Sequence, residues 1–92
     1  MEDLMFPTLH NNGTSYEELI RQLENASRAL DDALAALTNA APNARDYYVR
    51  GQSAFLIAAQ QHNSRVSAVK AVQVQITDIW MAIQDQEDER KG

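Results

Sequence analysis

Cysteine is absent from the 92-residue chain. That excludes a disulfide framework, a thiolate metal site and thiol catalysis. Proline and glycine are scarce, at two and three residues, which excludes collagen-like and low-complexity readings. No apolar run approaches the length of a membrane span. Near Met1, Glu2 and Asp3 stand where a secretory signal would carry basic residues, so no such signal is expected. The sequons at Asn12 and Asn25 then read as local structure. Positive charge is in the minority: eight Lys and Arg against thirteen Asp and Glu, net −5. Neutralising a nucleic-acid backbone is therefore not an expected activity.

What remains is 45% hydrophobic and 23% charged, an ordinary globular balance for one domain at most. Residues 1–13 read as an extended arm. Pro7 disfavours helix at Phe6, and Asn11-Asn12-Gly13 is turn chemistry. A first helix is expected over 15–41. Thr14 or Ser15 can cap it, and Ser15 with Glu18 fits a capping box. Tyr16, Leu23, Leu30 and Leu37 form one heptad series. Leu19, Ala26, Ala33 and Ala40 form the other, widened by Ile20, Leu34 and Ala41. Pro42 ends that pattern.

Residues 42–52 form a connector longer than most helix–helix turns. A second helix is expected over 53–86. Its seam is Phe55, Ala59, His62, Val66, Val69, Gln73, Ile76, Trp80 and Ile83, spaced by fours and threes. Residues 87–92 are charged and read as a frayed tail. The whole is an all-α, coiled-coil-like antiparallel two-helix hairpin with an extended N-terminal arm, one domain over 1–92. Helix 2 is apolar over more than one stripe, through Leu56, Ile57, Val74 and Met81. One partner helix cannot cover that surface, which predicts a homo-oligomer with helix 2 at the subunit interface.

Chemistry concentrates in the connector. Arg45, Tyr47, Tyr48 and Arg50 place two of three tyrosines and two of six arginines together. Aromatic faces beside guanidinium groups can stack a base and clamp a phosphate. The start of helix 2 adds backbone N–H groups that favour an anion. In the alternative reading, Tyr47 and Tyr48 plug the hairpin end and Arg45 pairs with Asp46. Asn11, Asn12 and Thr14 form a second polar cluster, suited to hydrogen-bonding a ligand or to a turn and cap. The two clusters flank helix 1 at opposite ends. An antiparallel pairing of hairpins would bring one chain's arm beside its neighbour's connector.

His62 on the seam reads as a core or interface histidine, and Gln73 as a residue that sets register. No metal site is expected, because His10 and His62 are the sole histidines and no ligand motif accompanies them. No cofactor is implied. The chain carries no nucleophile motif and no glycine-rich phosphate loop, so an enzyme is not expected.

Two segments carry a resemblance: Leu9-His10-Asn11-Asn12-Gly13-Thr14-Ser15 and Pro42-Asn43-Ala44-Arg45-Asp46-Tyr47-Tyr48. The chain resembles a group of short helical proteins of tailed phages and prophages with an N-G-T-S … P-N-x-R-D-Y-Y pattern. Gln60-Gln61-His62 matches their later Q/E-H element. In architecture alone it is similar to the phage sponges that block CBASS and Thoeris signalling. The first resemblance implies a viral source and a helical fold; the likeness of architecture to the sponges suggests a non-catalytic protein of the host cytoplasm. It would counter antiviral defence, in its concrete form by sequestering a cyclic nucleotide signal between protomers. Arg45 and Arg50 would hold phosphate, Tyr47 or Tyr48 would stack a base, and Asn11, Asn12 or Thr14 would read polar edges. The alternative is a protein–protein module that inhibits a host complex, or a structural accessory; a third reading is a housekeeping phage protein with no defence role. The expected partners are thus the chain itself and a small nucleotide or a host protein, with neither membrane nor nucleic acid involved.

Overall fold

A computed structural model describes residues 3–92; Met1 and Glu2 lie outside the described residues. Two long helices, α1 (Tyr16–Asn39) and α2 (Gln52–Lys91), make an antiparallel hairpin. Two single 3-10 turns, Ala44–Asp46 and Tyr48–Arg50, build the connector. The described residues are all-helical apart from arm and turns. No helix among them is long and apolar enough to cross a membrane.

Helix α1 starts where its cap directs. Ser15 is extended, and its Oγ accepts the Glu18 N–H at 3.1 Å. The expected capping box is only half made. The Glu18 carboxylate turns outward to accept from Arg21 Nε at 2.9 Å and Gln22 Nε2 at 3.2 Å. Those bonds, Arg21 first, hold the Glu18 carboxyl below its ordinary range, and the same contact raises the Arg21 guanidinium. The helix ends at Asn39, two residues short of the expected 41, so Ala40 and Ala41 stand exposed outside it. The Ala40 N–H still closes the last turn on Ala36 and Leu37.

The expected stripes do face each other. From Tyr16 to Leu37 the α1 heptad positions are half-buried. So are the α2 seam positions, apart from His62 and Ile83, which are buried outright, as is Ala58 beside the seam. Two side-chain links cross the seam: Tyr16 Oη donates to Gln84 Oε1 at 2.6 Å, and Gln73 Nε2 donates to Asp31 Oδ1 at 2.7 Å.

At 40 residues against 24, α2 overhangs α1 at both ends. The connector covers the first overhang and the arm the second. There the Leu9 N–H donates to Gln86 Oε1 at 2.9 Å, and Gln86 Nε2 donates to the Pro7 carbonyl at 2.7 Å. One glutamine thus clasps the extended arm as a neighbouring strand would.

That packing explains a second difference from expectation. Residues 87–91, read as a frayed tail, are helical. Glu87 is largely buried there and pairs with Arg90 and Lys91 at 4.0 and 3.9 Å. Gln84 Nε2 donates to Asp88, and the Gly92 N–H caps the Asp88 carbonyl. Basic residues in the last turn also suit the helix dipole.

Candidate functional site

The connector is shaped by its own short-range bonds. Asn43 Oδ1 accepts the Arg45 N–H at 3.2 Å, and the Asn43 carbonyl accepts from Asp46. Arg50 and Gly51 close the second turn on Tyr47 and Tyr48. Gly51 then reverses the chain at φ +103° and ψ 161°, backbone that only glycine adopts without strain. This glycine also stands at the N-cap of α2, which has no side-chain cap. The Ala54 N–H bonds the Gly51 carbonyl at 3.2 Å, and no side chain caps the amides before it.

The two tyrosines have different fates. Tyr47 is half-buried, its ring 6.5 Å from that of Phe55 at a tilt of 55°. Tyr48 is 72% exposed. The plug reading thus fits Tyr47, and the free aromatic face belongs to Tyr48. Arg45 and Arg50 are exposed. The ion pair anticipated between Arg45 and Asp46 is not formed; among the described residues the pairs lie within α1 and at the end of α2. Both side chains are exposed, where an ion pair between neighbours gains little. Tyr47 and Arg50 line a shallow depression with Ala54, Ile57, Ala58 and Gln61.

The arm cluster sits at the other end. The Gly13 N–H bonds the His10 carbonyl at 3.1 Å, and the His10 ring folds over Gly13 so closely that a Cβ there would meet Nε2 at 2.8 Å. Asn11 and Thr14 line an open depression with Glu17, Glu87 and Arg90. Asn12 is exposed at the turn and lies off that depression. Glu17 and Glu87 outnumber Arg90 in the depression, which disfavours phosphate there and leaves hydrogen bonding as its offer.

The structure therefore groups Arg45, Tyr47, Tyr48 and Arg50 in one place and Asn11, Asn12 and Thr14 in another. Along α2, Phe55 and Gln84 mark the two places, roughly 43 Å apart at 1.5 Å per residue. A single protomer cannot join them around one small ligand.

The sequence reading passed over a third feature, a groove between the helices lined by Leu23, Glu24, Ser27, Ile76, Thr77 and Trp80. Its only sequence signal is size. Ser27, beside the heptad position Ala26, is too small to fill the space opposite Trp80. No group of histidine and acidic side chains among the described residues could hold a metal ion. No protein-family profile, curated protein or solved structure matches the chain.

Proposed function

We propose that this is a non-catalytic binding protein that works as a homo-oligomer and captures a small anionic, aromatic ligand of the nucleotide class at its connector. The observation that carries this reading is the grouping of Tyr48, Arg45 and Arg50, exposed and with no ion pair to either arginine among the described residues, beside a start of α2 that no side chain caps. Guanidinium groups and helix N–H groups neutralise phosphate. An open tyrosine face stacks a base, with arginine able to stack behind it. The neighbour's Asn11 and Thr14 would supply polar contacts from the second wall. In the setting that the phage resemblance implies, the ligand is a cyclic nucleotide signal of host defence, removed by sequestration.

Self-association is the second part of the reading, supported by how little the chain buries. Its surface is 7155 Å² for 10.3 kDa, whereas surface scaling gives about 5,400 Å² for a compact chain of that mass. Only one large side chain, Ile83, is fully buried among the described residues. The chain has a radius of gyration of 19.2 Å, against roughly 12 Å for a compact domain of its length.

A protein partner at the same end is favoured by one further observation. Tyr48, Val49, Leu56 and Ile57 are exposed large apolar residues near the connector, and tyrosine with arginine is also hot-spot chemistry. Native mass spectrometry of the protein purified from cells, followed by titration with cyclic dinucleotides, separates the two. Oligomers carrying nucleotide, with binding lost in Tyr48→Ala and Arg50→Ala, support capture. Oligomers that bind no nucleotide overturn it in favour of the protein partner.

A further inference from the structure

Beyond the α1-facing seam, α2 carries a second row at the same four-three spacing: Leu56, Gln60, Asn63, Ser67, Lys70, Val74, Thr77 and Met81. At 3.6 residues per turn it lies roughly a third of a turn from the seam. Its three large apolar members are 63%, 60% and 52% exposed for Leu56, Val74 and Met81. Val74 lies in a shallow groove with Lys70, Gln73, Thr77 and Asp78. Leu56 and Met81 stand near opposite ends of the row, with Val74 between them.

Charge is distributed by end. From Asn43 to Thr77, Arg45, Arg50, Arg65 and Lys70 outnumber Asp46, a net of +3. From Asp78 to Lys91, five carboxylates outnumber Arg90 and Lys91, a net of −3. On α1, Glu17, Glu18 and Glu24 against Arg21 add to the negative end, whereas Asp31 and Asp32 against Arg28 reduce the positive end to a net of +2. Two parallel hairpins would set like ends side by side. Two antiparallel hairpins set each positive end against a negative one, at separations where charges still interact in physiological salt.

We infer that a second copy of this chain covers the Leu56–Val74–Met81 face of α2, in antiparallel orientation about a two-fold axis, with Leu56 of each chain level with the Val74–Met81 segment of the other. The inference rests on the self-association proposed above and adds its face and direction. A two-fold contact must be self-complementary, and the row meets that condition: run in reverse, its four-three spacing superposes on itself. The pairing seats each isolated apolar side chain of one copy near one of the other. It also keeps the connector arginines on the side of the partner's acidic end. The surface excess of roughly 1,800 Å² per chain exceeds the approximately 800 Å² that each partner gives to a standard interface.

The cysteine-free chain makes the test direct. Single-cysteine variants Leu56→Cys, Val74→Cys and Met81→Cys are oxidised alone and as equimolar mixtures, then run on non-reducing gels. Sedimentation equilibrium of the wild type gives the mass. The expected result is a wild-type mass at a multiple of 10.3 kDa. Leu56→Cys should link to Val74→Cys or Met81→Cys, with little linkage in any variant alone. An oligomer in which Leu56→Cys links to itself, or to none of the three, overturns the antiparallel pairing and leaves self-association standing. A wild type that sediments as a single chain overturns both.

Discussion

Gln73 of α2 donates a 2.7 Å hydrogen bond to Asp31 of α1, 42 residues earlier, midway along the hairpin. Sliding one helix by a turn would break it, so the pair holds register as well as adding stability. Asp31 is exposed and Gln73 only half-buried, which keeps the net contribution small. A double-mutant cycle with Gln73→Ala and Asp31→Ala, read by urea denaturation, should give a coupling of about 0.5–1 kcal/mol. Zero coupling would mean that this pair does not set the register, leaving it to apolar packing and the Tyr16–Gln84 bond.

Gln86 acts on the arm as Gln73 acts on α1. It satisfies the Leu9 N–H and the Pro7 carbonyl together, two main-chain groups with no helix to serve them. Replacing it with alanine removes both bonds at once. Gln86→Ala should cost about 1–2 kcal/mol and speed amide exchange at Leu9, while the centre of α1 exchanges as before. Unchanged protection at Leu9 would show that the arm is held by packing instead.

These two glutamines show what a sequence discloses and what it conceals. The hairpin was legible because apolar period is a property of consecutive residues: Tyr16 to Leu37 and Phe55 to Ile83 declare their faces without help. Gln73 stood out as polar on an apolar seam. Gln86 did not, since its role depends on an arm that returns to it from 77 residues away. The helical tail was hidden for the same reason. Glu87 looks like one acid in a charged run, until the arm shields it and Arg90 and Lys91 reach it. In the connector, residue types revealed the chemistry but not which tyrosine turns inward. That depends on the two 3-10 turns and on Phe55 one turn into α2.

Gly51 is where those turns meet α2. Nothing lies within 4 Å of a Cβ built there, so a methyl group finds space, yet φ +103° with extended ψ suits glycine alone. Gly51→Ala should therefore destabilise by about 1–3 kcal/mol through backbone strain, with a helix content close to wild type. A stability equal to wild type, measured by thermal unfolding, would show that the connector has a second conformation open to it.

The Glu18 carboxyl is held below its ordinary range by hydrogen bonds from Arg21 and then Gln22. The sign follows from which form is favoured. A carboxyl lowered in the folded chain stabilises folding above its unfolded pKa, and loses that contribution as pH falls through the lowered value. Stability should therefore drop on acidification below about pH 4.5, the carboxylate's unperturbed value. Glu18→Gln should make that acid limb shallower. The pair lies at the surface, with the Arg21 side chain 65% and that of Glu18 37% exposed, so added salt should weaken the difference between the two proteins.

Tyr47 and Tyr48 are neighbours that should answer opposite assays. Tyr47 packs its ring against Phe55 and is half-buried. Truncation removes that aromatic contact and uncovers the start of α2, so Tyr47→Ala should cost about 1–3 kcal/mol. Tyr48 is exposed and touches no other ring, so Tyr48→Ala should change stability by about 0.5 kcal/mol or less. Ligand capture reverses the order. Tyr48→Ala, with Arg45→Ala and Arg50→Ala, should lose nucleotide binding at wild-type helicity and oligomer mass. Calorimetric titration beside thermal unfolding reads both quantities on the same samples. If Tyr48→Ala unfolds the protein, or binds as wild type, the exposed ring is not the stacking face, and the connector is a structural cap on the hairpin.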